Sequence, residues 1–282
     1  MEFNSAKIKE LGIFINEIIE IGAVKLNENL EEVGVFSSTI KPCYTKKLNS
    51  YFKKLTHIND KDLKNSESFN EVIEKFIKWC DCDENTVFLS WSDTDLHVFV
   101  ENFTQLLKCE NVYFIKKYAD LQKYIMSFVK TENNNQISLS AAAEKFSLST
   151  DDFSAHRATD DSRVCEALFQ KTFDEKKFLN FIRNTQEPLF YRRLVFKPFI
   201  ISDLKKANID KKQLSYTCPV CKEKIKFDGK FNAKIKAFCE IKQCKNCKNK
   251  IVATFRFKQN FDSVHISKRI KKYVKKKPQE NS

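Results

Sequence analysis

The chain reads as an α/β protein, a mixed sheet flanked by helices with a small β domain after it. Three observations lead there. A β-branched hairpin pattern opens the chain, strand and helix periodicities then alternate to about residue 172, and two Cys-x-x-Cys pairs sit in a late segment of strand character.

Taken in order, Ile18 to Leu26 is a mostly apolar, β-branched run, and Glu32 to Ile40 alternates well enough for a second strand. Asn27-Glu28-Asn29 supplies the turn between them. Phe69, Val72, Ile73, Phe76, Ile77 and Cys80 fall at helical spacing, with Ser66 or Ser68 as the cap. Thr86 to Trp91 is a short buried strand, and a helix runs from about Asp95 to Leu107. Val112 to Ile115 reads as another strand, with helices near 120–130, 139–146 and 157–172. Residues 173–210 read as a helical linker, 211–265 as the small β domain, and 266–282 as a basic tail.

That small domain carries Cys218-Pro-Val-Cys221 and Cys244-Lys-Asn-Cys247. Each Cys-x-x-Cys turn presents two thiolates from one knuckle, and two such turns supply the tetrahedron that Zn²⁺ takes in structural sites. The expectation is a zinc ribbon with one Zn²⁺ on Cys218, Cys221, Cys244 and Cys247, since a segment this short has too little core to fold without metal. Cys239 reads as a spare thiol. Cys43, Cys80, Cys82, Cys109 and Cys165 read as small hydrophobes or surface thiols.

Charge divides the chain. Residues 1–200 hold 27 Lys and Arg against 30 Asp and Glu, while residues 201–282 hold 23 against 7, a net +16. A lysine-rich composition cannot make one part differ so much from the other, so the C-terminal third is the expected polyanion contact. A lysine-rich solvated surface is the plainer reading of the same charge. No run of 18 apolar residues and no N-terminal signal pattern is present, so the expectation is a cytoplasmic protein without a membrane partner.

Four stretches carry the chemistry: Met1-Glu2-Phe3-Asn4, Glu17-Ile-Ile-Glu-Ile-Gly-Ala-Val24, Trp91-Ser-Asp-Thr-Asp95, and His156-Arg-Ala-Thr-Asp-Asp161. With Leu55-Thr-His-Ile58, their order resembles the DEDDh family of 3′–5′ exonucleases over residues 1 to about 172. Ser90 to Asp95 resembles the branch of sporulation-inhibitor and small-RNA-trimming exonucleases. The resemblance implies a ribonuclease-H-like fold with a five-stranded sheet. It also implies two divalent ions, Mg²⁺ or Mn²⁺, held by Glu2, Asp95 and Asp161, with His156 as general base. The substrate it implies is single-stranded nucleic acid, RNA favoured over DNA. Such ions want carboxylate oxygens, and imidazole titrates near working pH.

In the resembled family an Asp stands two positions before the Glu that Glu2 matches, which is one position before Met1. The expectation is a gene product that begins upstream, and a Met1-start form that lacks the first central strand and is poorly active. The alternative function is a nucleic-acid-binding protein whose nuclease-like domain is catalytically impaired. Plainer readings stand beside the site residues as well. Asp95 suits a helix cap, Asp93 competes for its role, His156 suits a surface helix start, and Asp160 reads as a solvated neighbour. Trp91 and Phe3 fit base stacking or core packing, and His57, His97 and His265 read as structural.

Overall fold

The Ile13–Leu26 strand organises the first half of the protein. In the computed structural model, which describes residues 1–129, 136–149, 157–204 and 211–274, this strand (β2) pairs antiparallel with β1 (Glu2–Ile8) on one side and β3 (Glu32–Lys41) on the other. Two units divide the chain, Met1–Val195 and Phe196–Ser282.

In the first unit, α1 (Ser50–Thr56), α2 (Asp60–Lys64) and the two-residue β4 (Glu67–Ser68) lead into α3 (Phe69–Cys80). Of the two cap candidates it is Ser68 that caps α3. Its hydroxyl accepts from the Glu71 amide while Glu71 Oε2 accepts from the Ser68 amide at 2.8 Å, a reciprocal pair worth about 1 kcal/mol. The predicted stripe is the buried face, since Phe69, Val72, Ile73, Phe76 and Cys80 join Ile18, Ile21 and Ile40 in one core. Next come β5 (Val87–Ser90), α4 (Asp93–Leu106), β6 (Lys117–Asp120), α5 (Leu121–Met126), α6 (Leu139–Lys145) and α7 (Ala158–Thr172). The unit ends with α8 (Glu175–Phe178), β7 (Arg183–Asn184) and α9 (Phe190–Val195).

The structure differs from the sequence expectations at four points in this unit. Val112 to Ile115 is not a strand: Val112, Phe114 and Ile115 are buried in a turn, and the strand is Lys117–Asp120. Burial alone makes an apolar run, and a run so short does not reveal its backbone. Residues 173–195 are not a linker but part of the first unit, with Tyr191 donating to the Val112 carbonyl at 3.0 Å. The first strand is also present from Glu2 onward, seven residues long. Among the described residues the strands of this unit form two sheets, β1-β2-β3-β4 and β5-β6-β7, with β1 and β5 both at edges, in place of the single five-stranded sheet that the resemblance implied.

The second unit begins at β8 (Phe199–Ile200), which pairs with β13 (Lys250–Gln259). A small hairpin, β9 (Ser215–Thr217) with β10 (Lys224–Lys226), precedes an antiparallel meander of β11 (Lys230–Asn232), β12 (Ala237–Gln243), β13 and β14 (Val264–Lys272). The expected basic tail is therefore strand through Lys272. Val264, Ile266 and Ile270 alternate with charged neighbours, and the charge run conceals that period of two. Phe238, Ile251, Ala253, Phe255 and Phe257 form the core beneath. Among the described residues no helix is long and apolar enough to cross a membrane.

Candidate active site and thiolate centre

Glu2, Asp95 and Asp161 come from three elements that β2 holds together. Two acids inside its apolar run, Glu17 and Glu20, are each about 1% exposed and must therefore be partnered. Glu17 accepts amides from Cys43, Tyr44 (3.0 Å) and Thr45 (2.8 Å), tying the loop after β3 to the sheet. Glu20 receives Arg157 through Nε at 3.0 Å and Nη2 at 2.5 Å, and the Ala158 amide at 3.0 Å. It thereby fixes the start of α7, whose first turn carries Asp161.

Gly22 completes that docking. A Cβ there would lie 2.2 Å from the Thr159 amide nitrogen and 2.3 Å from the Ala158 carbonyl carbon, so only glycine lets α7 lie this close. Ser162 Oγ donates to the Gly22 carbonyl at 2.9 Å. Helix α4 is pinned to the same strand by Asn102, fully buried, which accepts from the Ile18 amide at 3.1 Å and donates to the Asn16 carbonyl at 2.7 Å. Sequence reading missed Glu20, Arg157, Gly22 and Asn102 as positioning residues. The signal available was the pair of acids inside an apolar strand.

Glu2 stands across the ladder from Glu20. Burial pushes its carboxyl up to about 7. The Met1 amino group works against this, and Asp161, Glu20 and Asp95 add to it. The Met1 amino nitrogen lies 3.5 Å from Asp95 Oδ1. Burial disfavours its charge, but Asp95, Glu2 and Asp161 outweigh that and hold its pKa above the ordinary value. Cys165, one turn after Asp161 on α7, has its thiol pushed up by burial and then by Asp95 and Asp161. These mutual effects put the three acids in one electrostatic neighbourhood. Their oxygens nevertheless do not gather as a set within 4.8 Å of one another; among the described residues only the cysteine group does that.

Asp93 is engaged elsewhere, bonded to Lys123 Nζ at 2.8 Å and to Arg183. Burial opposes its charge, yet Lys123 and Arg183 prevail and its pKa falls. The geometry thus separates the two competing aspartates. Trp91 and Phe3 pack against the cores, and His57 ends α1 with a φ of 58°. His156 lies outside the described residues.

The profile of the exonuclease family, RNase_T, matches residues 12–169. The chain belongs to the exonuclease family. That match bears out the DEDDh resemblance read from residues 1–172, although Glu2 precedes the matched segment. A PolC-type DNA polymerase III of Thermotoga petrophila is 27% identical over 190 residues, 66% of this chain and 13% of the polymerase. The 3′-5′ exoribonuclease 1 of Rattus norvegicus is 27% identical over 156 residues, 53% of this chain. The chain spans less than half of that protein, 45%. Among solved structures, the nuclease domain of 3′hExo, a DEDDh family member bound to rAMP, superposes with a TM-score of 0.51 at 22% identity, covering 60% of this chain and 88% of that one. That likeness supports the ribonuclease-H-like fold.

In the second unit Cys218, Cys221, Cys244 and Cys247 bring their sulfurs within 4.8 Å of one another. Two of the edges measure 3.6 Å (Cys218 to Cys247) and 3.5 Å (Cys221 to Cys244). A tetrahedron with metal–sulfur bonds of about 2.3 Å has edges of about 3.8 Å, so the donor set fits a single tetrahedral ion. The two knuckles are built alike. In each, the first cysteine's amide donates to the carbonyl five residues on, at 2.8 Å (Cys218 to Glu223, Cys244 to Asn249). In each, a lysine just after the second cysteine takes a left-handed φ, 63° at Lys222 and 59° at Lys248. Hydrogen bonds from the Asn249 side chain and amide hold the Cys247 thiol down to about 6, toward the thiolate a metal requires. Cys239 contacts Thr254 Oγ1 at 3.7 Å and lies outside this set.

Proposed function

We propose that the first unit is a metal-dependent 3′–5′ exonuclease that releases nucleoside 5′-monophosphates from single-stranded RNA. The observation that carries this reading is that Glu2, Asp95 and Asp161, from β1, α4 and α7, share one electrostatic neighbourhood at the family-matched segment. Exoribonuclease relatives and the rAMP-bound neighbour favour RNA, although the polymerase relative acts on DNA by its name.

Glu2, Asp95 and Asp161 would hold Mg²⁺ or Mn²⁺ through carboxylate oxygens, the donor type hard cations take. When bound, two such ions lower the pKa of the attacking water and neutralise charge on the phosphate. His156, five residues before Asp161, would take the water's proton. Arg157 and Glu20 are positioning residues, holding the backbone next to His156 through α7. In the second unit the four thiolates would hold one structural Zn²⁺.

The test uses short RNA and DNA oligonucleotides labelled at either end, incubated with Mg²⁺ or Mn²⁺. Stepwise loss from 3′ ends is expected, with His156→Ala and Asp161→Ala each slowing it at least a hundredfold. Internal cleavage, or full activity in both variants, would overturn the proposal. A second reading is a nuclease-like binding protein with impaired catalysis. Tight oligonucleotide binding without turnover in either metal would select it.

A further inference from the structure

The meander of the second unit has two unlike faces. Cross-strand register places Ile241, Val252 and Lys271 in one row, Cys239, Thr254 and Arg269 in the next, and Arg256 with Ser267, then Lys258 with His265, beyond them. Partners in a ladder share a face, so these rows form one side of the sheet. On the other side Phe238, Phe255 and Phe257 pack into the core, and the acids near it are already engaged, Asp228 and Glu240 both pairing with Lys242.

On the outer side Arg256, Lys258, Arg269 and Lys271 are all exposed. No acidic residue shares that side among the described residues, and none of these four forms an ion pair there. The cations repeat every second residue along two neighbouring strands, about 6.6–6.8 Å apart along each strand. Beside Arg269 and Lys271, in the same rows, lies apolar surface. Ile241 is 57% exposed, and a shallow depression of about 730 Å³ runs over Val252, Thr254 and Tyr273. The Tyr273 amide donates to the Lys250 carbonyl at 2.8 Å, so its backbone is fixed at the edge of this depression.

We propose that this outer face of β12, β13 and β14 is a platform for single-stranded nucleic acid. Arg256, Lys258, Arg269 and Lys271 take the phosphates, and Tyr273 lies against a base. Charge complementarity selects a polyanion. The apolar end of the face selects unpaired bases, because a duplex keeps its base faces stacked inside, whereas single strands offer them to aromatic and apolar side chains. The inference builds on the nucleic-acid reading above but does not depend on turnover.

The experiment measures binding of a short labelled single-stranded oligonucleotide to the full chain across a salt series, without added Mg²⁺ or Mn²⁺. Arg269→Glu/Lys271→Glu should weaken binding at least tenfold and reduce the salt slope by about 1.4, since each phosphate contact on a single strand contributes roughly 0.7. Lys224→Glu/Lys245→Glu makes the same charge change off this face and should weaken binding less than about threefold. Equal losses in the two pairs would overturn the platform in favour of diffuse charge. Tyr273→Ala should weaken single-strand binding more than binding to a duplex of the same sequence; equal effects would overturn the base contact. Displacement of the oligonucleotide by polyglutamate or anionic vesicles at matched charge would name a different partner and overturn the proposal. Bound zinc and the unfolding midpoint check each variant's fold, and Arg269→Gln/Lys271→Gln replaces the reversal pair if that pair misfolds. Turnover of the parent chain is assayed separately, so a dead nuclease and a wrong platform give different results.

Discussion

The carboxylate site and the thiolate centre are built in opposite ways. The four cysteines come from two short turns with the same hydrogen bonds and the same left-handed lysine, and their sulfurs already lie within 4.8 Å of one another. The three acids come from a strand and two helices spread over 160 residues, and their oxygens stay further apart. In the first case local backbone geometry makes the site, and in the second, packing does. A locally built site should therefore fail when a ligand is lost, and a packed site when a support is lost.

The largest expected effect follows from the thiolate centre. Cys218→Ser, or the same change at Cys221, Cys244 or Cys247, should abolish about one equivalent of bound zinc and the cooperative unfolding of residues 196–282. Structural zinc contributes folding free energy directly, and the small aromatic core above it is insufficient alone. The unfolding transition of the first unit should remain where it was. Metal analysis and calorimetry check both points, and zinc retained at parent level in all four variants would remove the ribbon from the comparison.

The same contrast explains what could be read from the sequence. Cys-x-x-Cys spacing states its own geometry and was legible, whereas the cap of α3 was narrowed only to Ser66 or Ser68 until the structure showed the reciprocal pair of Ser68 and Glu71. The order of Glu2, Asp95 and Asp161 identified the family without saying how three distant residues are brought together. That information lies in contacts between elements: Gly22 under α7, Asn102 against β2, Arg157 on Glu20. Only Glu20 leaves a local signal, an acid inside an apolar strand, and even that does not name its partner, because a pattern read along the chain does not see across it. Strand β14 was hidden differently, by lysines that satisfy strand geometry and a tail-like composition together.

Gly22 tests the packed site most directly. Gly22→Ala should destabilise the first unit by about 1–3 kcal/mol, the usual cost of forcing atoms into a filled interior. The colliding atoms are backbone, so α7 must move rather than a side chain swing aside. Oligonucleotide turnover should fall by more than the loss of folded protein explains, because Asp161 moves with the helix. Zinc content and the second unit's transition should not change. An alanine variant with parent stability and parent rate would show that the close approach has no consequence for the site.

The smallest expected effect, and the most specific, concerns the Glu20–Arg157 pair. Glu20 is about 1% exposed, whereas the Arg157 side chain is 37% exposed and pays less for its charge. Arg157→Ala strands a buried carboxylate that keeps only the Ala158 amide, and stability should fall by about 1–2 kcal/mol, discounted from a fully buried pair because water reaches the arginine. If the loss comes from that uncompensated charge, adding Glu20→Gln to Arg157→Ala should recover much of it, since a neutral amide side chain can still accept from Ala158. Turnover offers the second readout. A purely structural pair would return both stability and rate in the double variant, whereas a pair that also orients the start of α7 would return stability and leave the rate low. Urea unfolding and single-turnover hydrolysis on the four corners of this cycle separate the two roles. A double variant no more stable than Arg157→Ala would mean that charge compensation is not what holds α7 to β2.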